Sequence, residues 1–172
     1  YAKACNIGMR VAKGEYIVLL NNDTVLLQQP KNQWIDILLR AFWDEKVAIS
    51  GPMMAWCPHA EYNFLIGFCI MIRKAFLDKC GMYDESFEAY GEDTDLCVRA
   101  QKNGWLIKQV PDDEIRRLPG QDNVGTGHFP IYHKGNESYR NWPDGDKLLA
   151  KNRKILHDRH ATGIGKAYEI DG

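Results

Sequence analysis

The sequence predicts an α/β domain in which a mixed sheet is flanked by helices. Segments with helical apolar periodicity alternate with short apolar runs that suit covered strands. Two of those runs stop abruptly at polar or Gly-Pro turns, Asn21-Asn22-Asp23-Thr24 and Gly51-Pro52. The chain has 172 residues, 45% of them hydrophobic, enough for one real core and too few for two comfortable ones.

Ala2, Cys5, Met9 and Ala12 recur at near-helical spacing ahead of Gly14, so residues 1–13 read as an amphipathic helix with Gly14 as its C-cap. The run Tyr16-Ile17-Val18-Leu19-Leu20 is apolar on both faces and reads as a buried strand. A second helix is expected from about Lys31 to Asp44, with Trp34, Ile35, Leu38, Leu39 and Phe42 on one stripe. Val47 to Ser50 is a short strand, and Asn63 to Arg73 reads as one long interior strand. Lys74 to Lys79 forms a short helix closed by Gly81, and Tyr83 to Phe87 a polar loop with aromatics. Glu92 to Asn103 is a helix capped by Gly104, followed by a strand from Trp105 to Val110. Residues 112–130 read as a loop and Asp144 to His160 as a closing amphipathic helix. The domain thus spans 1–160, and the glycine-rich residues 161–172 read as a flexible tail.

Charge excludes one class of partner. The 22 basic and 23 acidic residues are mixed along the chain and leave a net charge of −1, so no electrostatic footprint of a nucleic-acid binder is present. Five cysteines without a CxxC pair read as small buried hydrophobes in a reducing compartment rather than a zinc site. The longest apolar run, Phe64 to Ile72, is far too short to span a bilayer. Because the first residue is Tyr1 and the opening lacks the apolar core of a signal peptide, the chain is expected to begin within a longer protein.

Three segments carry chemistry. Asn22-Asp23 follows a strand, which would present the Asp23 carboxylate at the carboxyl edge of the sheet, where a divalent cation could bridge it to a diphosphate. The same residues also suit a strand-ending turn or a helix cap. Tyr90-Gly91-Glu92-Asp93-Thr94-Asp95 packs three carboxylates at a helix start. There they could be simple caps, or their mutual repulsion could push the pKa values apart and supply a base that works near neutral pH. His133, in Ile131-Tyr132-His133-Lys134-Gly135, could complete a metal site while Lys134 neutralises phosphate, or could be a hydrogen-bonded structural residue.

The order GEYIVLLNNDT, then GFCIMIRKAFLDKCGMYDESFEAYGEDTDLCVRAQKNGW, then IYHKGNES resembles family 2 glycosyltransferases with the GT-A fold, a Rossmann-related architecture. The resemblance covers roughly residues 1–140. It implies that Asp23, with Asn22, binds the metal and the donor diphosphate, that Asp93 is the catalytic base, and that Glu92, Asp84 and Glu85 lie near the acceptor. It also implies a metal role for His133, beside which Lys134 is the candidate donor-binding cation by its charge. The opening strand with its P-x-x-N turn and the D-x-S-x-D segment that hold the nucleotide in that family have no counterpart here, so the domain reads as N-terminally truncated: a fragment of a longer protein, a chain whose nucleotide half another chain supplies, or one that has lost donor binding.

The implied activity is inverting transfer of a sugar from a nucleotide-diphosphate donor, a UDP-sugar by default, to a hydroxyl of a glycan or glycoconjugate, with Mn²⁺ or Mg²⁺ as cofactor. The alternative is a non-catalytic remnant that serves as a binding module. A metal-dependent phosphohydrolase would want a denser cluster of acids and histidines. The expected location is the cytoplasm, including peripheral association with the cytoplasmic face of a membrane. Residues 112–130 and the His133 segment are expected to close over the diphosphate when donor and metal bind, since a stretch rich in Gly, Asp and Pro buries little by itself.

Overall fold

A computed structural model describes residues 1–110, 129–135 and 144–161. In chain order the elements are α1 (Ala2–Val11), β1 (Tyr16–Leu20), β2 (Thr24–Leu26), α2 (Gln33–Leu39), β3 (Val47–Gly51), β4 (Met54–Cys57) and β5 (Tyr62–Leu65). There follow β6 (Cys69–Arg73), α3 (Lys74–Cys80), α4 (Glu92–Lys102), β7 (Leu106–Gln109), β8 (Ile131–His133) and α5 (Gly145–His160).

The central sheet has the order β1-β6-β3-β7. β6 runs antiparallel to both β1 and β3, whereas β3 and β7 are parallel, so one reversed strand sits among three that share a direction. Side-chain alternation divides the core between the two faces. Ile17 and Leu19 of β1 and Ile70 and Ile72 of β6 face α1, α3 and α4, where they meet Met9, Phe76, Leu96 and Ala100. Tyr16 and Val18 of β1 and Cys69 and Met71 of β6 face α2, where they meet Leu38, Phe42, Phe68 and Ile131. Phe68, Phe76 and Phe129 are fully buried, each contributing about 2–3 kcal/mol of apolar transfer. A smaller cluster joins Cys57, Phe87, Val98 and Leu156, and so fastens α5 to α4 and to the β4–β5 hairpin.

Several expectations change in detail. The expected strand from Asn63 to Arg73 is two strands: β5 pairs with β4, β6 pairs with β1 and β3, and Ile66-Gly67-Phe68 turns between them. A continuous apolar run carries no mark of where its partner changes, and Gly67 was the available sign. The helix expected to reach Asp44 ends at Leu39 and tightens into a 3-10 turn over Arg40–Trp43. α1 is capped at Ala12 instead of Gly14. β1 alternates between buried and half-buried positions and ends exposed at Leu20, so its α2-facing side is covered less completely than the other. Phe129, placed in a loop from composition, is a core residue. Residues 112–128 of that loop, Asn136 to Ser138 of the third motif and 162–172 of the expected tail lie outside the described residues.

Candidate active site

The carboxyl ends of β1 and β3 and the start of β6 meet at one edge of the sheet, because Leu20 lies opposite Cys69 in the antiparallel register. The turn leaving β1 is fastened there. The Asn21 N–H donates to the Phe68 carbonyl at 2.8 Å, and Thr24 Oγ1 donates to the Asn21 carbonyl at 2.7 Å. The Tyr1 hydroxyl donates to Asn21 Oδ1 and to the Gly67 carbonyl, 2.9 and 3.2 Å away. Asn22 is exposed in this turn, and Asp23 is half-buried.

β2 then pairs antiparallel with β8, with Thr24 opposite His133, and the Lys134 N–H donates to the Asp23 carbonyl at 3.0 Å. This ladder brings Asp23 and His133 together across the sequence: His133 Nε2 lies 3.1 Å from Asp23 Oδ1. Neither atom has a hydrogen-bond partner, although both are buried. The two therefore sit at contact distance without a bond of proper alignment, an arrangement whose unused lone pairs suit a shared cation. The imidazole stacks on Phe68, ring centres 4.3 Å apart and planes 6° from parallel. Burial pushes its pKa down against the opposing pull of Asp23, which favours the neutral, ligating form. The segment expected to move toward the diphosphate thus already holds His133 beside Asp23. Lys134 is exposed just beyond β8.

α4 supplies the second half of the site. Its entry is forced by two residues of positive φ, Tyr90 at 62° and Gly91 at 99°. A Cβ at Gly91 would come within 2.9 Å of the Phe87 ring, so both the conformation and the space demand glycine. Glu92, Asp93 and Asp95 occupy the first turn, where the helix dipole favours carboxylates. They nevertheless part company. Asp93 Oδ2 accepts from the Gly67 N–H at 2.9 Å, and Oδ1 accepts from the Thr94 N–H at 2.7 Å and from Thr94 Oγ1 at 3.3 Å. Burial raises the Asp93 pKa against these hydrogen bonds. Glu92 is 7% exposed, its Oε2 has no partner, and burial together with the Asp93 charge raises its pKa to about 8. Asp95 points the other way, to His160 Nε2 at 2.7 Å and Arg99 Nε at 2.8 Å.

The two halves meet at Ile66-Gly67-Phe68. Gly67 binds Asp93, while the next residue offers its carbonyl to Asn21 and its ring to His133. The opening on the other side of Asp93 is a cavity of about 300 Å³ whose lining includes Phe64, Ile66, Tyr90, Asp93, Asn152 and Leu156. Glu92 is not among its lining residues.

The two expected acceptor residues in the preceding loop are held by other elements. Asp84 receives Arg159 Nη1 of α5 at 2.5 Å and the Ser86 N–H at 2.8 Å. Glu85 receives Asn6 Nδ2 of α1 at 3.0 Å. Gly67, Phe68, Tyr1 and Asn152 belong to the site's construction and were missed in the sequence, because their contacts are long-range. Among the described residues no three His, Cys, Asp or Glu side chains converge as a metal cluster, and no helix is long and apolar enough to cross a membrane.

No family model matches the chain. It is 31% identical over 107 residues to N-acetylglucosaminyl-diphospho-decaprenol L-rhamnosyltransferase of Mycobacterium tuberculosis, covering 61% of this chain and 31% of that protein. It is 23% identical over 137 residues to the pre-mycofactocin glycosyltransferase of the same organism, covering 64% of this chain and 28% of that protein. The chain therefore spans about a third or less of the curated relatives it matches. Among solved structures it superposes on the Pyrobaculum calidifontis mannosyltransferase PcManGT, determined with GDP-Man and Mn²⁺. The TM-score is 0.51 and the identity 14%, over 91% of this chain and 49% of that one. The catalytic domain of Drosophila beta1,4galactosyltransferase 7, in complex with xylobiose, gives a TM-score of 0.50 and 16% identity over 88% of this chain and 60% of that one. The reversed strand within a helix-flanked mixed sheet and these relationships agree: the chain is a glycosyltransferase homologue with a GT-A-like α/β fold.

Proposed function

We propose that residues 1–160 are the acceptor-side part of the catalytic domain of an inverting, metal-dependent glycosyltransferase of the family 2 type. It would transfer a sugar from a nucleotide-diphosphate donor, with a UDP-sugar as the first candidate, to a hydroxyl of a glycan or glycoconjugate in polysaccharide or cell-wall synthesis. The site would work on the cytoplasmic side of a membrane. The observation that carries the reading is the tripeptide 66–68, which joins the Asp23–His133 pair to an Asp93 carboxylate that lines a cavity.

Asp93 is the base in this reading because it has access to the cavity and Glu92 does not. The acceptor hydroxyl would give its proton to the Asp93 carboxylate while its oxygen attacks the anomeric carbon from the face opposite the departing nucleotide diphosphate. The new bond then has the opposite configuration. Burial supports this role by raising the Asp93 pKa toward the working range, and the Gly67 and Thr94 donors fix the carboxylate's orientation. Glu92, with its pKa near 8, adds little negative charge beside Asp93 at neutral pH.

Asp23 and His133 fit a divalent cation on the chemistry of their donors: a carboxylate oxygen and a neutral imidazole nitrogen, buried, adjacent and unpartnered. The imidazole favours Mn²⁺ over Mg²⁺, and two protein ligands suffice where phosphate oxygens and water complete the shell. A cation held there would offset the charge on the leaving diphosphate. Asn22 and Lys134, exposed on either side, are the candidates for contacts to the donor.

The test is transfer by the complete protein, including whatever precedes Tyr1, with UDP-, GDP- and dTDP-sugars and Mn²⁺. The anomeric configuration of the product is then read by NMR. Inversion that depends on Mn²⁺ and on Asp93 is the expected result. Acceptor binding without turnover for any donor would return the non-catalytic binding module.

A further inference from the structure

The cavity beside Asp93 has more chemistry on its walls than a base and an apolar floor. Its floor is Cys57, Phe64, Ile66 and Leu156, from the β4–β5 hairpin, the 66–68 turn and α5. Beside Leu149 and the start of α4, its lining also carries His59, from the tip of the hairpin, and Arg153, from α5. Burial first, and then the neighbouring charges of Arg153 and His157, push the His59 pKa down, so its neutral ring can offer an N–H beside the Arg153 cation. Neither His59 nor Arg153 has an acidic partner among the described residues, although other cations of α5 do: Lys147 pairs with Asp144, Lys151 with Glu88, Lys154 with Asp158 and Arg159 with Asp84. A helix that neutralises its other described cations leaves uncompensated the one that faces the cavity.

Asn152 supplies an independent observation. It is 1% exposed and lines the same cavity. Its amide nitrogen donates to the Ala89 carbonyl and, at 2.8 Å, to the Tyr90 carbonyl, so it clamps the strained Tyr90-Gly91 entry to α4. Its Oδ1 has no hydrogen-bond partner among the described residues. A buried amide oxygen left unsatisfied costs about 1–3 kcal/mol unless a ligand hydroxyl answers it.

Resting on the glycosyltransferase reading, we infer that this cavity takes an acceptor sugar esterified to phosphate or diphosphate, with Arg153 and His59 holding the anion and Asn152 Oδ1 accepting from a sugar hydroxyl. The anion fixes one end of the acceptor, the amide turns the ring, and the attacking hydroxyl faces Asp93. Arg153 is the specificity-determining residue: a planar guanidinium can donate to two phosphate oxygens at once. The apolar floor also suits an acceptor whose phosphate continues into a hydrocarbon chain. The inference itself concerns the sugar-phosphate ester, which a lipid-linked and a free sugar phosphate share.

The experiment is calorimetric titration of the complete protein, native and Arg153→Ala, with four probes: glucose 1-phosphate, octyl diphosphate, methyl glucoside and inorganic phosphate. Arg153 is exposed and makes no ion pair with the described residues, so the variant is expected to retain the fold. The expected result is tenfold or greater weakening of glucose 1-phosphate by Arg153→Ala, partial recovery in Arg153→Lys, a smaller loss in His59→Gln, and no effect on methyl glucoside. Octyl diphosphate binding that follows the same pattern assigns the lipid-linked source, and its failure to bind assigns the free sugar phosphate. Unchanged glucose 1-phosphate affinity in Arg153→Ala, no binding to the native protein, or equal affinity for inorganic phosphate would overturn the inference. A parallel titration with UDP and Mn²⁺, native against Asp23→Ala, reports on the underlying reading separately. If that titration behaves as expected while Arg153 proves inert, the phosphate subsite alone is lost.

Discussion

The Gly67 amide donates to Asp93 Oδ2 at 2.9 Å, and a Cβ on Gly67 would stand 3.1 Å from the Asp93 Cβ and 3.3 Å from that same oxygen. The backbone of the turn therefore approaches the carboxylate more closely than any other residue would allow. Gly67→Ala is expected to fold, since the crowding atoms are side-chain ones, yet to push Asp93 from its orientation. The measured outcome should be a 10- to 100-fold fall in kcat with donor KM little changed, in line with what small misplacements cost. Wild-type kcat in Gly67→Ala would mean that this contact does not position the base.

Asp93→Asn should lower kcat by roughly 10²–10⁴ while leaving nucleotide affinity intact, because it removes a proton acceptor and little ground-state binding. Glu92→Gln should cost less than tenfold, since Glu92 lies off the cavity and is protonated over much of the neutral range. Single-turnover rates for the two variants rank the carboxylates. The reverse ranking would move the base to Glu92.

Glu92 also carries a stability prediction. Its pKa rises from an ordinary 4.5 to about 8 in the folded protein, so the native state binds a proton that the unfolded chain releases. Its carboxyl is therefore tolerated best at low pH, and the protein loses stability as pH climbs from about 4.5 to about 8, by up to about 1.4 kcal/mol per pH unit. Urea midpoints measured between pH 5 and 8.5 should fall more steeply for the native protein than for Glu92→Gln. Parallel slopes would show that Glu92 titrates normally.

Much of this arrangement was legible in the sequence. The helices that became α1, α3, α4 and α5 announce themselves by periodicity and by a glycine or polar residue at their ends, and Asp23, Asp93 and His133 stand in recognisable motifs. What escaped was pairing. Nothing local in Asn63 to Arg73 says that its first half joins a hairpin and its second half the central sheet. Nor does Ile131-Tyr132-His133 reveal that it will zip onto Thr24–Leu26. The roles of Phe68 and Asn152 depend on those distant partners. A phenylalanine in an apolar run and an asparagine on a polar helix have no local signature.

Asp23→Ala and His133→Ala, each in the complete protein, should weaken Mn²⁺-dependent binding of UDP at least tenfold while leaving any metal-independent binding alone. Both side chains lie on a two-stranded ribbon at the rim of the fold, so circular dichroism should be unchanged. Equal UDP affinity with and without Mn²⁺ in the native protein would remove the metal from this pair.

At the C-terminal end of α5, His160→Ala should release the end of that helix from the first turn of α4. The buried Asp95 carboxyl is pushed up by desolvation, yet its hydrogen bonds to His160 and Arg99 outweigh that and hold it below its ordinary value. Removing the imidazole should cost about 1–3 kcal/mol in urea denaturation at pH 7. The depressed pKa means that Asp95 stabilises the fold above its ordinary value near 3.8 and ceases to do so as pH falls further. A neutral effect of His160→Ala would show that α5 is held by its other contacts, among them Leu156, Asn152 and the Arg159–Asp84 and Lys151–Glu88 pairs.

Phe68 gives its carbonyl to the turn that positions Asp23 and its ring to His133, while its neighbour Gly67 holds Asp93. In the proposed mechanism, leaving-group handling and proton removal would share one hinge pin, and their failures should compound rather than add. In a double-mutant cycle, Phe68→Leu combined with Asp93→Asn should depart from additivity even though the two side chains serve opposite ends of the reaction. A change anywhere in the tripeptide would thus be felt at both halves of the site at once, through one stretch of backbone.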